Sequence, residues 1–182
     1  MNDAGMTESG DGAVDDIVKV AGPIGGMWVA HNSYGICGSG FANLVTFARF
    51  REELHDRTGR PAARADDLPD DLFDRIERSF STGHRDELTF DLRGATPFQQ
   101  SVWEACLAVP PGETRTYSEI AKVVHRPNAV RAVGTALGSN PIPVLVPCHR
   151  VLRTDGSLGG YAFGELVKQK LLDREAERAA AA

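Results

Sequence analysis

TYSEIAKVVHRPNAVRAVGTALG, Thr116 to Gly138, is the stretch on which the reading of the fold turns. Thr116 followed three residues later by Glu119 is a capping-box pattern, and it predicts a short helix running to about His125. Arg126, Pro127 and Asn128 make a tight turn, and the residues from Asn128 onward form a second helix that ends at Gly138. Two short helices so closely spaced form a helix-turn-helix pattern. The second helix carries Arg131 and otherwise small or apolar residues, among them Ala129, Ala132, Gly134, Thr135 and Ala136. A helix that reads bases through the major groove presents several polar side chains, and this one offers almost no hydrogen-bonding code. It suits close, sequence-indifferent contact with a groove, Arg131 being the one long side chain. A sequence-specific regulator fits poorly, and an ordinary helical hairpin within a core stays open as the plain alternative.

Immediately downstream, SNPIPVLVPCHRV (139–151) turns at Asn140-Pro141 and continues as an apolar run bracketed by Pro143 and Pro147. This reads as a stiff, strand-like segment that delivers Cys148 with His149 beside it. A thiol attacks as thiolate, and an adjacent imidazole is one way to generate it. Neighbours on an extended chain point to opposite sides, so contact between them requires a bent backbone or a bridging water. A carboxylate behind the imidazole would complete the arrangement. The last helix, GELVKQKLLDREAER (164–178), offers Glu165, Asp173, Glu175 and Glu177, and generic chemistry does not choose among them.

Upstream, TPFQQSVWEACLAV begins with Thr96 as N-cap, Pro97 at the first helical position and Gln99 completing a second capping box. Phe98, Val102, Trp103, Cys106 and Leu107 form its buried stripe, which makes Cys106 a core thiol. The first half reads as a small α+β module. Residues 24–41 form a β-hairpin turning at Asn32–Gly35; 42–56 and the segment opened by Pro69 are amphipathic helices; 57–69 is a loop; 86–92 alternates as a strand. Leu44, Val45, Phe47, Ala48 and Leu54 are the apolar positions of the first helix. Leu72, Phe73, Ile76 and Phe80 are those of the second. Segment 1–13, acidic and poor in apolar residues, is expected to be a disordered tail and not a secretion signal. The fold class is α+β: a small N-terminal module (14–93) with an antiparallel sheet, then a mostly helical C-terminal domain (94–182) containing the helix-turn-helix.

Three cysteines without any CxxC pair indicate free thiols in a reducing cytoplasm. His31, Cys37, His55 and His84 match no metal-ligand spacing, so neither metal nor cofactor is expected. No apolar run approaches the roughly 20 residues of a membrane span. The net charge of −5 is uneven: residues 1–95 carry 10 Lys/Arg against 17 Asp/Glu, and residues 96–182 carry 10 against 8. A nucleic-acid-facing second half is permitted by that asymmetry.

The order and spacing of TPFQQSVWEACLAVPPGETRTYSEIAK, NAVRAVGTALGSNP, NPIPVLVPCHRV and DGSLGGYAFG resemble the O6-alkylguanine-DNA alkyltransferases, also called methylated-DNA–protein-cysteine methyltransferases. The match runs from about Thr96 to Glu175, and the first half fits in architecture only. The resemblance implies direct reversal of DNA damage. An alkyl group, methyl in the simplest case, passes irreversibly from O6-alkylguanine, and possibly O4-alkylthymine, to the protein's own Cys148. His149 would remove the thiol proton through a water, Glu175 would polarise His149, and Asn140 would buttress the turn. Tyr117 would donate its hydroxyl to the base and crowd a phosphate, and Arg131 would fill the vacated stack. Thr116, Ala129, Ala132 and Gly134 would meet the DNA. Val151, Tyr161, Ala162 and Phe163 would surround the base together with Cys148, through carbonyls at Cys148 and Val151 and the amide of Ala162. The implied partner is double-stranded DNA read without sequence preference, by a monomeric cytoplasmic protein.

Physical chemistry supports the same reading, because a buried thiol reaches an O6-alkyl group only if the base leaves the stack. The alternative within the resemblance is a non-enzymatic alkyl-damage-binding protein; such relatives lack the acceptor cysteine. His125 and Asn128 stand where relatives commonly have glycine and lysine, which predicts strain at the helix end and modest DNA affinity. Phe163 replaces a glycine found in some relatives and predicts a crowded mouth with weak tolerance of bulky adducts. No cysteine-rich regulatory segment is seen, so a fused transcriptional activator is not expected.

Overall fold

A computed structural model of the chain describes residues 14–83, 85 and 87–181. The acidic segment 1–13 and His84 lie outside them. Strands β1 (Asp15–Gly22), β2 (Gly25–Asn32) and β3 (Gly35–Phe41) form an antiparallel meander. β4 (Ala62–Arg64) joins β1 in parallel, giving the order β3-β2-β1-β4. Strand alternation sends side chains to both faces. Ile17, Trp28, Ala30 and Cys37 pack on Phe50 and Leu54 of helix α1 (Phe47–Thr58), and Val18, Val20, Met27 and Val29 face the main core.

The hairpin turning at Asn32–Gly35 is present as β2 and β3. The first helix, however, starts at Phe47, not Ala42. Thr46 is its N-cap, accepting a hydrogen bond from the Arg49 amide at 3.3 Å, and residues 42–45 form a turn whose Leu44 stays exposed. Apolar character at Leu44 and Val45 imitated a helical stripe that the cap at Thr46 overrules. The second helix, α2 (Asp70–Thr82), follows Pro69 as expected and buries Ile76 and Phe80, while Phe73 remains 38% exposed. Within the supposed loop 57–69 lies β4. The segment read as a strand over 86–92 reduces to one bridge, Phe90 to Ile36, and Asp86 lies outside the described residues. Pairing stops there because the Asp91 carboxylate turns inward to meet Arg60, Arg93 and Asn32.

β1 begins on Asp15, whose fully buried carboxylate accepts from Arg60 (2.9 Å) and Asn32 (2.8 Å). A charge at such a position is tolerated only when paired, and here the pairing ties the strand to the chain after α1.

In the second half both capping boxes form. Helix α3 (Pro97–Leu107) is capped by Thr96 with Gln99, and α4 (Tyr117–Val123) by Thr116 with Glu119. α3 buries Val102, Trp103 and Cys106, with Phe98 and Leu107 packed at the margin. Helix α5 (Val130–Gly138) ends at Gly138, as its sequence indicates. A two-stranded parallel ladder, β5 (Arg115–Thr116) with β6 (Val151–Leu152), ties the start of α4 to the segment after Cys148, and α6 (Glu165–Ala181) closes the chain. One continuous apolar cluster joins Val29, Ile76 and Phe80 to Trp103, Ile120, Val133 and Leu145, so both halves share a core. Each large side chain buried there contributes roughly 1.5–3 kcal/mol.

Candidate active site

Residues 141–150 are not the extended run that their apolar character suggests. The Val146 amide bonds the Ile142 carbonyl at 2.7 Å, Val144 adopts φ +74°, and Cys148–Arg150 coil into a single 3₁₀ turn. Three prolines allow few ladder hydrogen bonds, so the segment folds on itself. A valine in the left-handed region costs roughly 1–3 kcal/mol and persists only where its surroundings hold it. They do so from both halves of the chain. Ser39 donates its amide to Pro141 O (3.1 Å) and its hydroxyl to Pro143 O (2.7 Å), and Arg85 donates to Val144 O (2.8 Å). From within the second half, Asn140 donates through Nδ2 to Val146 O at 2.9 Å and accepts from the Ile142 amide at 3.0 Å.

The same Nδ2 lies 3.1 Å from Cys148 Sγ. Burial pushes the Cys148 thiol up from its ordinary value, and the Asn140 N–H works against that by favouring the thiolate. Cys37 and Cys106 are also buried free thiols; burial raises Cys37 to about 12 and Cys106 further, and neither lines a cavity with the site residues. Cys148 is the cysteine equipped to ionise.

Behind it, His149 Nε2 lies 3.0 Å from Glu175 Oε1. Burial would raise the Glu175 carboxyl, but hydrogen bonds from His149 and Arg150 hold it well below the usual carboxylate range. An ionised carboxylate only accepts, so Nε2 carries the imidazole proton and Nδ1 is left with a free lone pair. Nδ1 is buried and has no protein partner. Burial also lowers the His149 pKa to about 4, against the opposing pull of Glu175, so the ring is neutral at physiological pH and able to take a proton.

Arg150 was missed in the sequence. It is fully buried and forks onto Glu175 (2.9 and 2.8 Å) while also bonding the carbonyls of Val109 and Gly83. Lys168 was missed too. Its Nζ donates to Val151 O (2.6 Å) and to Leu158 O beneath the active-site loop, and burial draws its pKa down to about 8. One signal was available: Lys168, Leu171 and Glu175 fall at spacings of three and four, the inward stripe of α6. The same stripe separates Glu175 from the exposed Glu165, Asp173 and Glu177.

Cys148 opens into a cavity of about 530 Å³ together with Tyr117, Arg131, Gly134, Asn140, Tyr161 and Ala162. Phe163 lines instead a neighbouring cavity of about 550 Å³ that shares Asn140, Pro143 and Ala162 with the first. Val151 lies behind the wall, its carbonyl engaged by Lys168, and Thr116 spends its hydroxyl on the α4 cap. Gly159 has φ +68°, and a Cβ there would stand 2.7 Å from the Tyr117 hydroxyl, so glycine is what lets the loop close over the tyrosine. The Tyr161 hydroxyl is buried without a partner.

On the outer surface, α5 exposes Arg131, Ala132 and Thr135, with Ala129 at its N-cap, while Val133, Ala136 and Leu137 are buried. A Cβ at Gly134 would stand 3.9 Å from the Tyr117 ring, an ordinary contact distance. Between α4 and α5, His125 takes φ 56°. Its amide bonds Lys122 O (3.0 Å) and the Arg126 amide bonds Ala121 O (2.8 Å), a Schellman end built on a non-glycine residue. Among the described residues no group of three His, Cys, Asp or Glu side chains could hold a metal ion, and no helix is long and apolar enough to cross a membrane.

A helix-turn-helix beside a cysteine cavity defines the class, and residues 97–177 match the DNA-binding domain of 6-O-methylguanine DNA methyltransferase. The chain belongs to the methylated-DNA–protein-cysteine methyltransferase family. It is 34% identical over 168 residues to the enzyme of that name from Salmonella typhimurium, covering 86% of this chain and 93% of that protein. It is 53% identical over 95 residues to the Mycobacterium tuberculosis protein of the same name, covering 52% of this chain and 57% of the relative. The structure of Mycobacterium tuberculosis OGT in complex with DNA superimposes with a TM-score of 0.73 at 34% identity, covering 90% of this chain and 94% of that one. The chain spans only 26% of a Salmonella regulatory protein and 43% of an Escherichia coli bifunctional activator and repair enzyme that it also matches.

Proposed function

We propose that the protein repairs alkylated DNA by moving the alkyl group of O6-alkylguanine onto Cys148, once per molecule. The observation that carries this is Cys148 on a cavity wall, with Asn140 on its sulfur and the buried His149–Glu175 pair behind it. Residues 94–182 act as the DNA-binding and reacting unit, and 14–93 support it.

Arg131 and the small residues of α5 meet the duplex, with phosphates supplying affinity that ignores sequence. The alkylated base rotates out at a cost of roughly a few kcal/mol, lowest for a lesion that pairs badly, and Arg131 fills the gap. Tyr117 and Tyr161 flank the base in the cavity. The Cys148 proton passes through one water to Nδ1 of His149, and Glu175 stabilises the resulting imidazolium. The thiolate attacks the alkyl carbon; the C–S bond forms as the C–O6 bond breaks, and its electron pair leaves with the guanine. The Tyr117 hydroxyl protonates the departing base. A thioether has no easy leaving group, so the protein is consumed. The partner is duplex DNA, the protein acts as a monomer, and three free thiols suit a reducing cytoplasm.

The second reading, a damage-binding protein without chemistry, is disfavoured by Cys148 itself. Incubation with an O6-methylguanine duplex followed by intact mass measurement separates the two. One added methyl on Cys148, absent from Cys148→Ser, is the expected result; lesion binding without a mass change sinks the transfer reading.

A further inference from the structure

Two guanidinium groups line the cysteine cavity, Arg131 from α5 and Arg153 from the loop after β6, and among the described residues no carboxylate lines it. Arg131 is accounted for by base extrusion. Arg153 has no role in that scheme, and among the described residues its guanidinium makes no ion pair and no hydrogen bond. Its backbone, in contrast, is fixed: the amide bonds Ser157 O at 2.9 Å and the carbonyl accepts from Gly156 N at 3.0 Å. Asp155, an acid two residues away, is turned back into its own loop, where Oδ1 accepts from the Ser157 amide (3.0 Å) and hydroxyl (2.6 Å). A fixed stem therefore carries a guanidinium on the cavity lining that is felt by Tyr117 and by Asp155 but is bonded to neither. Buried Lys168 lies beneath, its hydrogen bonds directed to the carbonyls of Val151 in β6 and Leu158 in this loop. Two guanidinium groups on one opening, with no carboxylate among its described lining residues, favour a polyanion lying across it.

We propose that Arg153 is a positioning residue that grips a phosphodiester flanking the extruded nucleotide, at a second point besides Arg131. A guanidinium matches a phosphate through two parallel N–H···O bonds, which a point charge does not reproduce. Held at both ends, the nucleotide cannot slide back into the stack while Cys148 reacts. This inference rests on the alkyl-transfer reading for its nucleotide but concerns a residue that reading leaves idle.

Each phosphate contact contributes about −0.9 to the slope of log affinity against log salt. Between 50 and 200 mM salt the wild-type protein is therefore expected to lose about 3.5-fold more affinity than Arg153→Ala for a duplex carrying O6-methylguanine. The measurement is made in the Cys148→Ser background so that no adduct forms. Arg153→Lys should restore the slope while recovering only part of the affinity. In the reactive protein, Arg153→Ala should slow transfer from duplex DNA more than transfer from free O6-benzylguanine. An unchanged slope, or equal slowing on duplex and free base, overturns the proposal, the latter assigning Arg153 to the thiol or the fold. Wild-type protein that binds the lesion but gains no methyl would sink the transfer reading, and the slope comparison would still decide whether Arg153 holds a phosphate.

Discussion

His149 and Glu175 meet at 3.0 Å in a place closed to solvent, and the imidazole is neutral because burial outweighs its carboxylate partner. The folded protein takes up the His149 proton near pH 4, the unfolded chain near 6.5. Between these values the unfolded state binds more protons. Stability therefore falls as pH is lowered through that window, by up to about 1.4 kcal/mol per pH unit from this one group. Urea unfolding at pH 7, 6 and 5 should show that loss in the wild type and a flatter dependence in His149→Gln. Alkyl transfer should persist to about pH 5 and fail toward pH 4, where Nδ1 is occupied.

Cys148 Sγ has Asn140 Nδ2 at 3.1 Å and only 7% of the residue exposed. A methyl group on that sulfur crowds the amide and its closely packed surroundings. Overfilling of this kind costs about 1–3 kcal/mol, so the reacted protein should melt several degrees below the unreacted one. Equal melting temperatures before and after complete reaction would contradict this.

Arg131 stands on the exposed face of α5 and, among the described residues, makes no hydrogen bond or ion pair with Asn140, Cys148, His149 or Glu175. Arg131→Ala should slow repair of duplex DNA by at least tenfold while slowing transfer from a free base analogue much less, because its work is extrusion, a step costing about a few kcal/mol. Parallel losses on both substrates would refute that role.

Phe163 packs edge-on against Phe41 at 5.0 Å and Tyr161 at 5.9 Å and lines the cavity that adjoins the cysteine cavity. Phe163→Gly should join the two spaces and raise the rate of inactivation by O6-benzylguanine several-fold, with little gain for O6-methylguanine. Stopped-flow comparison of the two substrates decides it.

His125 holds a left-handed backbone at the end of α4, and among the described residues its side chain makes no hydrogen bond or ion pair. Glycine has no such penalty, and His125→Gly should raise stability by about 0.5–1 kcal/mol, seen as a higher urea midpoint at unchanged slope.

What could be read from sequence was what depends on neighbours in the chain. Thr96 with Gln99 and Thr116 with Glu119 announce their helices because each cap is closed within four residues. β1 escaped because Asp15 and Asp16 are poor strand formers, and only Arg60 and Asn32, brought up by the fold, make a buried Asp15 acceptable. Likewise the proline-flanked apolar run before Cys148 looked extended, since the groups that bend it, Ser39 and Arg85, lie far away in sequence. Glu175 was one carboxylate among four on a helix until the family pattern singled it out. The structure adds the reason: it alone shares the inward stripe with Lys168 and Leu171.

The turn that presents Cys148 is held open by hydrogen bonds from Ser39 and Arg85 as much as by Asn140. The first half of the chain is thus a jig for the reactive loop, shaping carbonyls that the second half does not constrain unaided. Recombination that grafts a foreign first half onto this second half is then no neutral exchange of modules. Such a chimera would have to bring its own donors to Pro141, Pro143 and Val144, and divergence in the one half is bounded by the geometry of the other.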